Sequence, residues 1–86
     1  MTAEEIRKEL ESIITDKINK DISLAEITWE TRLREDIGID SLETVELLFE
    51  IEVEFEIKID DDEAAEMLTV KDAVEAVQKK LEEKGS

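Results

Sequence analysis

Ser41 is the residue whose type and position could best support covalent chemistry. It lies in residues 36–42, which read Asp-Ile-Gly-Ile-Asp-Ser-Leu, just before a long acidic and apolar stretch. A serine at the start of such a stretch could accept a prosthetic group. The chain has no cysteine and no histidine, so it lacks a thiolate and any Ser/His or Cys/His nucleophile pair. The reactive group for any chemistry must therefore be imported.

A purely structural role for Ser41 is the alternative. Asp40 and Glu43 have the spacing of a capping box, and aspartate and serine are both preferred at helix starts. We therefore expect helix two to begin at Asp40 or Ser41. On this spacing alone, a helix cap is the simpler interpretation of the serine.

The helix after Ser41 carries three stripes when its residues are placed at intervals of about 100°. One face has apolar residues that suit a core: Leu47, Leu48, Ile51 and Phe55. The nearly opposite face has a second apolar set: Leu42, Val45, Phe49 and Val53. Acidic residues lie between the two faces: Glu43, Glu46, Glu50 and Glu54.

A small domain can hardly bury both apolar faces of one helix, so the second face is predicted to dock partner proteins. Apolar contacts would supply affinity, and carboxylates would supply orientation and a fast association rate. The predicted docking residues are Leu42, Glu43, Val45, Glu46, Phe49 and Glu50. The alternative is that the long loop before the helix covers this face.

The net charge of −15 is concentrated in the middle of the chain. Residues 35–66 contain fourteen acidic side chains and one basic side chain, Lys58. Such a field repels nucleic acids and anionic membrane surfaces, and it steers basic protein surfaces toward the segment. The expected partner is therefore a basic protein patch, and the alternative is an acidic surface that only keeps the protein in solution.

Composition and periodicity together predict an all-α fold. The 86 residues contain no proline and two glycines, which favours one small helical domain over residues 1–86. Helix one is expected over about residues 3–18 and helix two from Ser41 to a point before Ile59. Residues 50–59 alternate polar and apolar side chains like a strand, but we favour helix for their first part because no second strand is evident to pair with them.

The rest of the chain predicts two more helices and one long loop. A short acidic helix is expected from residues 60–63 to Met67, followed by a last helix capped by Thr69. The result is a four-helix bundle of three longer helices and one short helix. The long loop lies between helices one and two, and its apolar residues are predicted to anchor it to the core: Ile22, Leu24, Ile27, Trp29, Leu33 and Ile37.

The sequence also bears on cellular location and metal binding. No apolar stretch is long enough to cross a membrane, and residues 1–5 do not resemble a signal peptide. We therefore expect the protein in the cytoplasm or a comparable reducing compartment. We also expect it to be a monomer. No metal site is predicted, since residues 60–62 lack the alternating ligands and glycine of an EF-hand loop.

The chain resembles the acyl carrier proteins of discrete, type II fatty-acid and polyketide synthesis. The resemblance covers nearly all of it. The attachment motif of that family, Gly-x-Asp-Ser-Leu, matches residues 38–42, and residues 43–47 match the start of the family's recognition helix. The resemblance implies that Ser41, between Asp40 and Leu42, accepts 4′-phosphopantetheine from coenzyme A through a Mg-dependent phosphopantetheinyl transferase.

By the same resemblance the protein is a carrier and not an enzyme. The thiol of the arm would hold acyl intermediates as thioesters in fatty-acid or related lipid or polyketide biosynthesis, with the acyl chain sheltered among helices one, two and four. The partners would be the transferase and acyl-processing enzymes that have basic docking patches. The bulky Phe49 and the unusual Trp29 suggest a specialised carrier.

Two alternatives stay open from the sequence. An aminoacyl or peptidyl carrier would use the same arm and the same serine. A non-carrier acidic helical binding module would share the charge and the two-faced helix but would leave Ser41 unmodified.

Overall fold

Four α-helices form the framework of the computed structural model, which describes residues 1–85. They are α1 (Ala3–Ile13), α2 (Ser41–Phe55), α3 (Asp61–Ala65) and α4 (Val70–Lys84). The prediction of an all-α fold with three longer helices and one short helix is confirmed. Within the described residues there is no strand, and the β pairing found there is one isolated bridge between Arg32 and Thr69.

A capping box opens each of the four helices. The cap residue accepts a hydrogen bond from a backbone N–H three positions later, and the acidic side chain at that later position accepts one from the N–H of the cap. The pairs are Thr2 with Glu5, Asp40 with Glu43, Asp60 with Glu63, and Thr69 with Asp72. Each cap of this kind stabilises a helix by about 1 kcal/mol, so local sequence fixes where every helix begins.

Helix one extends beyond α1 as a π-helical turn, Ile14–Ile18. This agrees with the predicted end near residue 18, although the geometry of the last turn differs from the α-helix expected. Asn19 closes the turn by donating its backbone N–H to the Ile14 carbonyl at 2.7 Å. The side-chain amide of Asn19 also donates to the Ile37 carbonyl at 3.1 Å, so the end of helix one is tied to the chain that leads into α2.

The core lies between α1, α2 and α4, which supply most of its fully buried side chains. The largest of these are Ile6, Leu10, Ile14, Ile51, Val70, Val74 and Val77. Burial of one such aliphatic side chain contributes about 1.5–3 kcal/mol relative to exposure. Leu47, Ile51 and Phe55 from the predicted core stripe of α2 are buried, and Leu48 is half-buried.

The helix α2 ends before Ile59, as predicted. Glu56 adopts a left-handed conformation with φ of 53° and ends the helix. In the extended chain that follows, Ile57 is buried and Ile59 is half-buried. The Glu52 carboxylate accepts the Ile59 N–H at 2.8 Å. The short helix α3 then ends at Ala65, two residues earlier than predicted.

The loop between α1 and α2 is anchored as predicted at most of its apolar residues. Ile27, Leu33 and Ile37 are buried, and Ile22 and Trp29 are half-buried against the core. The prediction for Leu24 is wrong, because this residue lies in a short 3₁₀ turn, Leu24–Glu26, with its side chain in solvent.

Backbone hydrogen bonds dock the loop onto the start of α4. Leu33 N donates to the Leu68 carbonyl, and Val70 N donates to the Thr31 carbonyl, each at 2.9 Å. Lys71 N also donates to the Trp29 carbonyl at 2.9 Å.

No helix within the described residues is long and apolar enough to cross a membrane.

Candidate functional site

Ser41 is the first residue of α2, and its side chain is exposed. The capping role belongs to Asp40, whose carboxylate accepts the Glu43 N–H at 2.8 Å. Glu43 completes the box by accepting the Asp40 N–H at 3.2 Å. Among residues 1–85, the Ser41 hydroxyl has no hydrogen-bond partner. The hydroxyl is therefore not needed as a cap and is free to be modified.

The chain that leads to Ser41 is held on both sides of a glycine. Gly38 has a positive φ of 81°, a conformation that glycine adopts without the steric cost paid by residues with a Cβ. The neighbouring Ile37 and Ile39 are both buried. Ile39 N donates to the Leu33 carbonyl at 3.1 Å. These anchors hold the start of α2 in place while the Ser41 side chain faces solvent.

The first turn of α2 has the polarity that an anion prefers. The backbone N–H groups of Ser41 and Leu42 have no partner among the described residues. Unpaired N–H groups at the start of a helix carry partial positive charge and favour a negatively charged group. A phosphate ester on the Ser41 oxygen would lie at this end of the helix dipole.

An ion pair also stabilises the turn before Gly38. Arg32 donates its backbone N–H to the Asp36 carboxylate at 2.8 Å, and its guanidinium contacts the same carboxylate at 3.2 Å. The hydrogen bond from the Arg32 side chain lowers the pKa of Asp36, and its backbone N–H acts in the same direction. The guanidinium also pairs with Glu35. Asp36 therefore stays ionised at neutral pH and keeps its contacts with Arg32 across the turn.

The second apolar face of α2 lies in solvent. Its four side chains are between 58% and 68% exposed: Leu42, Val45, Phe49 and Val53. The alternative in which the long loop covers this face is therefore wrong. The described residues leave a continuous apolar strip beside Ser41, of the kind that marks protein–protein contact sites.

The three predicted docking carboxylates differ in their surroundings. Glu43 is held by the capping box, and Glu50 lies 3.7 Å from the Lys17 ammonium group. Glu46 is exposed, with no hydrogen bond or ion pair to any described residue. Glu46 is thus the carboxylate most available to a basic partner. Sequence reasoning missed Lys17, because nothing in the periodicity places the end of helix one beside α2.

A shallow hollow joins the end of helix one to the exposed apolar strip of α2. It has a volume of about 350 Å³ and is lined by Lys17, Ile18, Val45, Glu46, Phe49 and Glu50. Four of the predicted docking residues therefore border one concave surface with apolar walls and a charged rim. Such a surface suits an apolar side chain from a basic partner.

A second pocket opens between the loop, α2 and α3. It has a volume of about 370 Å³, and its walls are mainly apolar: Leu33, Ile39, Leu47, Ala64, Met67 and Leu68. Its polar lining includes Arg34, Thr44 and Asp61. Thr44 is three residues after Ser41, so the pocket lies close to the helix start. This place differs from the expected shelter among helices one, two and four.

Two other findings concern the charged groups. Within residues 1–85, no cluster of three or more histidine, cysteine, aspartate or glutamate residues is arranged to hold a metal ion.

Between α1 and α2, a shared hydrogen bond with Glu54 raises the pKa of Glu9, and repulsion between the two carboxylates adds to this effect. The acidic surface therefore contains one contact that is unfavourable when both groups are ionised.

Comparison with known proteins first defines the class. The family model of the phosphopantetheine attachment site matches residues 8–77, which include Ser41 and all of α2. That model describes proteins in which a phosphopantetheine group is attached to the chain.

Relatives then narrow the class. The acyl carrier protein of Porphyromonas gingivalis is 41% identical over 77 residues, which cover 90% of this chain and 96% of the relative. The acyl carrier protein of Exiguobacterium is 38% identical over 81 residues, which cover 94% of this chain and all of the relative. This chain belongs to the acyl carrier protein family.

Solved structures agree with this assignment. The crystal structure of an acyl carrier protein from Thermotoga maritima has a TM-score of 0.81 and 31% identity, covering 94% of this chain and 92% of its own. An acyl carrier protein from Enterococcus faecalis has a TM-score of 0.78 and 30% identity, covering 93% of this chain and 99% of its own. Acyl carrier proteins are carriers and not enzymes, and their prosthetic group is 4′-phosphopantetheine.

The residues around Ser41 fit that prosthetic group. A phosphodiester needs an accessible hydroxyl for attachment, and the Ser41 hydroxyl is exposed and free of partners among residues 1–85. The unpaired N–H groups of Ser41 and Leu42 favour its negative charge. The chain itself has no cysteine, so the thiol that carries an acyl group must come from the arm.

Proposed function

We propose that Ser41 is the attachment residue for 4′-phosphopantetheine and that the loaded protein carries acyl groups as thioesters between enzymes. The observation that carries this proposal is the exposed, unpartnered Ser41 hydroxyl at the start of α2, with capping left to its neighbour Asp40. In loading, the Ser41 oxygen forms a bond to the phosphorus nearest the pantetheine of coenzyme A. Adenosine 3′,5′-bisphosphate leaves, and a base on the transferase takes the hydroxyl proton.

The loading test is intact mass before and after incubation with coenzyme A, Mg²⁺ and a broad-specificity phosphopantetheinyl transferase. We expect one phosphopantetheine per chain, and peptide mapping should place it on Ser41. The Ser41→Ala variant should gain no mass. The Ser23→Ala variant is the matched control, because Ser23 is also exposed but lies in the long loop. A folded wild-type chain that takes no arm would contradict the proposal.

The exposed strip of α2 is the proposed docking surface. It combines the apolar residues Leu42, Val45 and Phe49 with the carboxylate of Glu46, which has no partner among the described residues. The proposed partners are the phosphopantetheinyl transferase and enzymes that build or transfer acyl chains, each through a basic patch. Docking through exposed charges would be fast, salt-sensitive and easily reversed. Such contacts suit a carrier that must visit several enzymes in turn.

The pocket between the loop, α2 and α3 is the proposed shelter for the acyl chain. Its apolar walls and its position near Ser41 support this role. An apolar chain that leaves water here would gain about 0.8 kcal/mol for each buried CH₂ group. A series of loaded acyl chains of increasing length should therefore raise the Tm until the pocket is filled.

The proposed cargo is an acyl intermediate of fatty-acid or related lipid or polyketide synthesis. The names of the curated relatives support an acyl cargo over an aminoacyl or peptidyl cargo. We further propose that the carrier acts as a monomer of one domain, because a net charge of −15 opposes close approach of two copies. Sedimentation of the loaded protein at low and high salt would test the oligomeric state.

A further inference from the structure

We propose that Arg34 binds an anionic oxygen group on the arm carried by Ser41. That group is either the phosphodiester that joins the arm to the serine or a carboxylate on the acyl cargo. The inference rests on the proposed function of Ser41 and names a residue outside the predicted attachment and docking sets. Arg34 would then be a determinant of how the arm lies and of which cargo is preferred.

The backbone places Arg34 beside the attachment point. The preceding residue, Leu33, accepts a hydrogen bond from Ile39 N at 3.1 Å, and its own N–H donates to the Leu68 carbonyl at 2.9 Å. Residue 34 is thereby held next to Ile39, which lies two residues before Ser41. Arg34 also lines the same pocket as Ile39 and Thr44. Arg34 therefore borders the pocket that lies close to the start of α2.

Arg34 is the one cation among the residues that line this pocket. Within the described part of the chain it makes no ion pair, although Arg32, two residues earlier, pairs with both Glu35 and Asp36. Asp61 also lines the pocket, yet no ion pair joins it to Arg34. An uncommitted guanidinium thus lies in a strongly acidic region, where most nearby charges are of the opposite sign.

The chemistry of the Arg34 guanidinium indicates which groups it can bind. Its planar fork of N–H donors matches the paired oxygens of a phosphate or a carboxylate. Arg34 is exposed to solvent at the border of the pocket, so its donors are accessible to an anionic group on an arm that leaves Ser41. The unpaired N–H groups of Ser41 and Leu42 add positive character on the side of the helix start. A neutral acyl chain has no anionic oxygen and would not form this hydrogen bond with Arg34.

The test follows the Arg34 Nε–H signal by NMR in four forms of the wild-type protein. These are the apo form, the form with the bare arm, and forms with the arm carrying either a butyryl or a succinyl group. Butyryl and succinyl groups have the same number of carbons, and only succinyl ends in a carboxylate. The Arg34→Lys variant assigns the signal. The Tm of each form is also measured for the wild type, for Arg34→Gln and for the control Lys58→Gln, which removes one exposed positive charge from residues 35–66.

A shift of the Arg34 signal on addition of the bare arm would support the phosphodiester as the ligand. A shift found with succinyl and not with butyryl would support the cargo carboxylate. If the phosphodiester is the ligand, the increase in Tm from the apo form to the form with the bare arm should be lost in Arg34→Gln and kept in Lys58→Gln. If the cargo carboxylate is the ligand, the same should hold for the difference in Tm between the succinyl and butyryl forms. An unmoved signal in all loaded forms, or equal shifts confined to butyryl and succinyl, would overturn the inference. Mass measurement separates the two proposals, because a chain that takes no arm overturns both, whereas a loaded chain with an unmoved Arg34 overturns this one alone.

Discussion

At the start of α2, capping and the proposed attachment involve two neighbouring residues. Asp40 satisfies the helix N-terminus, while the Ser41 hydroxyl remains outside the hydrogen-bond network of the described residues. If the serine had been the cap, attachment of a prosthetic group would have removed a stabilising hydrogen bond. Because Asp40 is the cap, the proposed loading of Ser41 would leave this hydrogen bond of the helix intact.

This arrangement predicts opposite effects for two adjacent substitutions. Ser41→Ala should abolish loading and change the free energy of unfolding by less than about 0.5 kcal/mol, as expected away from a structural contact. Asp40→Ala should cost about 1 kcal/mol through loss of the cap. Urea unfolding followed by circular dichroism gives both values. If Ser41→Ala destabilised the protein as much as Asp40→Ala, the serine would be a cap after all.

Gly38 supports a second prediction at the residue scale. Its φ of 81° lies in the left-handed region, while no atom within 4 Å would meet an added Cβ. Gly38→Ala should therefore destabilise the protein through backbone strain alone, by about 1–2 kcal/mol. Gly85→Ala is the matched control, because its backbone is helical, with φ of −79°. Equal urea midpoints for the two variants would contradict this account.

At the scale of the helices, α2 presents one apolar face to the core and a second apolar face to solvent. Leu47, Ile51 and Phe55 are buried, whereas the strip from Leu42 to Val53 lies in solvent. Glu46 lies beside the exposed strip and is not engaged by any described residue. It therefore offers a clean test of electrostatic docking, whereas a change at Glu43 would also disturb the helix cap.

Glu46→Lys should slow loading by the transferase, and the effect should shrink as salt is added. Charge reversal replaces attraction to a basic patch with repulsion, and exposed charges are screened over about 10 Å at 0.1 M salt. The measurement is kcat/KM for loading at several ionic strengths. Glu75→Lys on α4 makes the same change in net charge on another helix. A defect in Glu46→Lys that does not depend on salt would argue against steering.

Sequence was sufficient to predict the helix starts, because every start is set by a local capping pair such as Asp40 with Glu43. It also predicted the exposed face of α2, since two apolar faces on one helix exceed what a small core can bury. It failed where neighbours far apart in the chain decide the outcome. Lys17 beside Glu50 and Arg34 on the pocket depend on tertiary packing. The sequence also did not indicate that Glu56 would end α2 in a left-handed conformation, or that Ile57 would then be buried in the core.

At the scale of the whole molecule, the acidic surface contains contacts with opposite pH dependence. Ion pairing with Lys80 lowers the pKa of Glu63, and pairing with Arg32 lowers that of Asp36. These contacts stabilise the fold above the unfolded pKa of each carboxyl, and that stability is lost as the pH falls through the lower folded value. The pair of Glu9 and Glu54 behaves in the opposite way, because the pKa of Glu9 is raised in the folded protein.

Glu9→Gln should therefore stabilise the protein at neutral pH and have little effect in acid. A raised folded pKa means that the contact is favourable below the ordinary value of 4.5 and that its stability is lost as the pH rises through the folded pKa. Glutamine replaces the carboxyl group with a neutral amide, whose N–H can donate to Glu54, and removes the charge that repels Glu54. Urea unfolding at pH 7 and pH 4 measures the effect, and Glu75→Gln controls for the change in net charge. Equal stabilisation by the two variants at pH 7 would assign the gain to the overall charge of the molecule and not to the carboxylate pair.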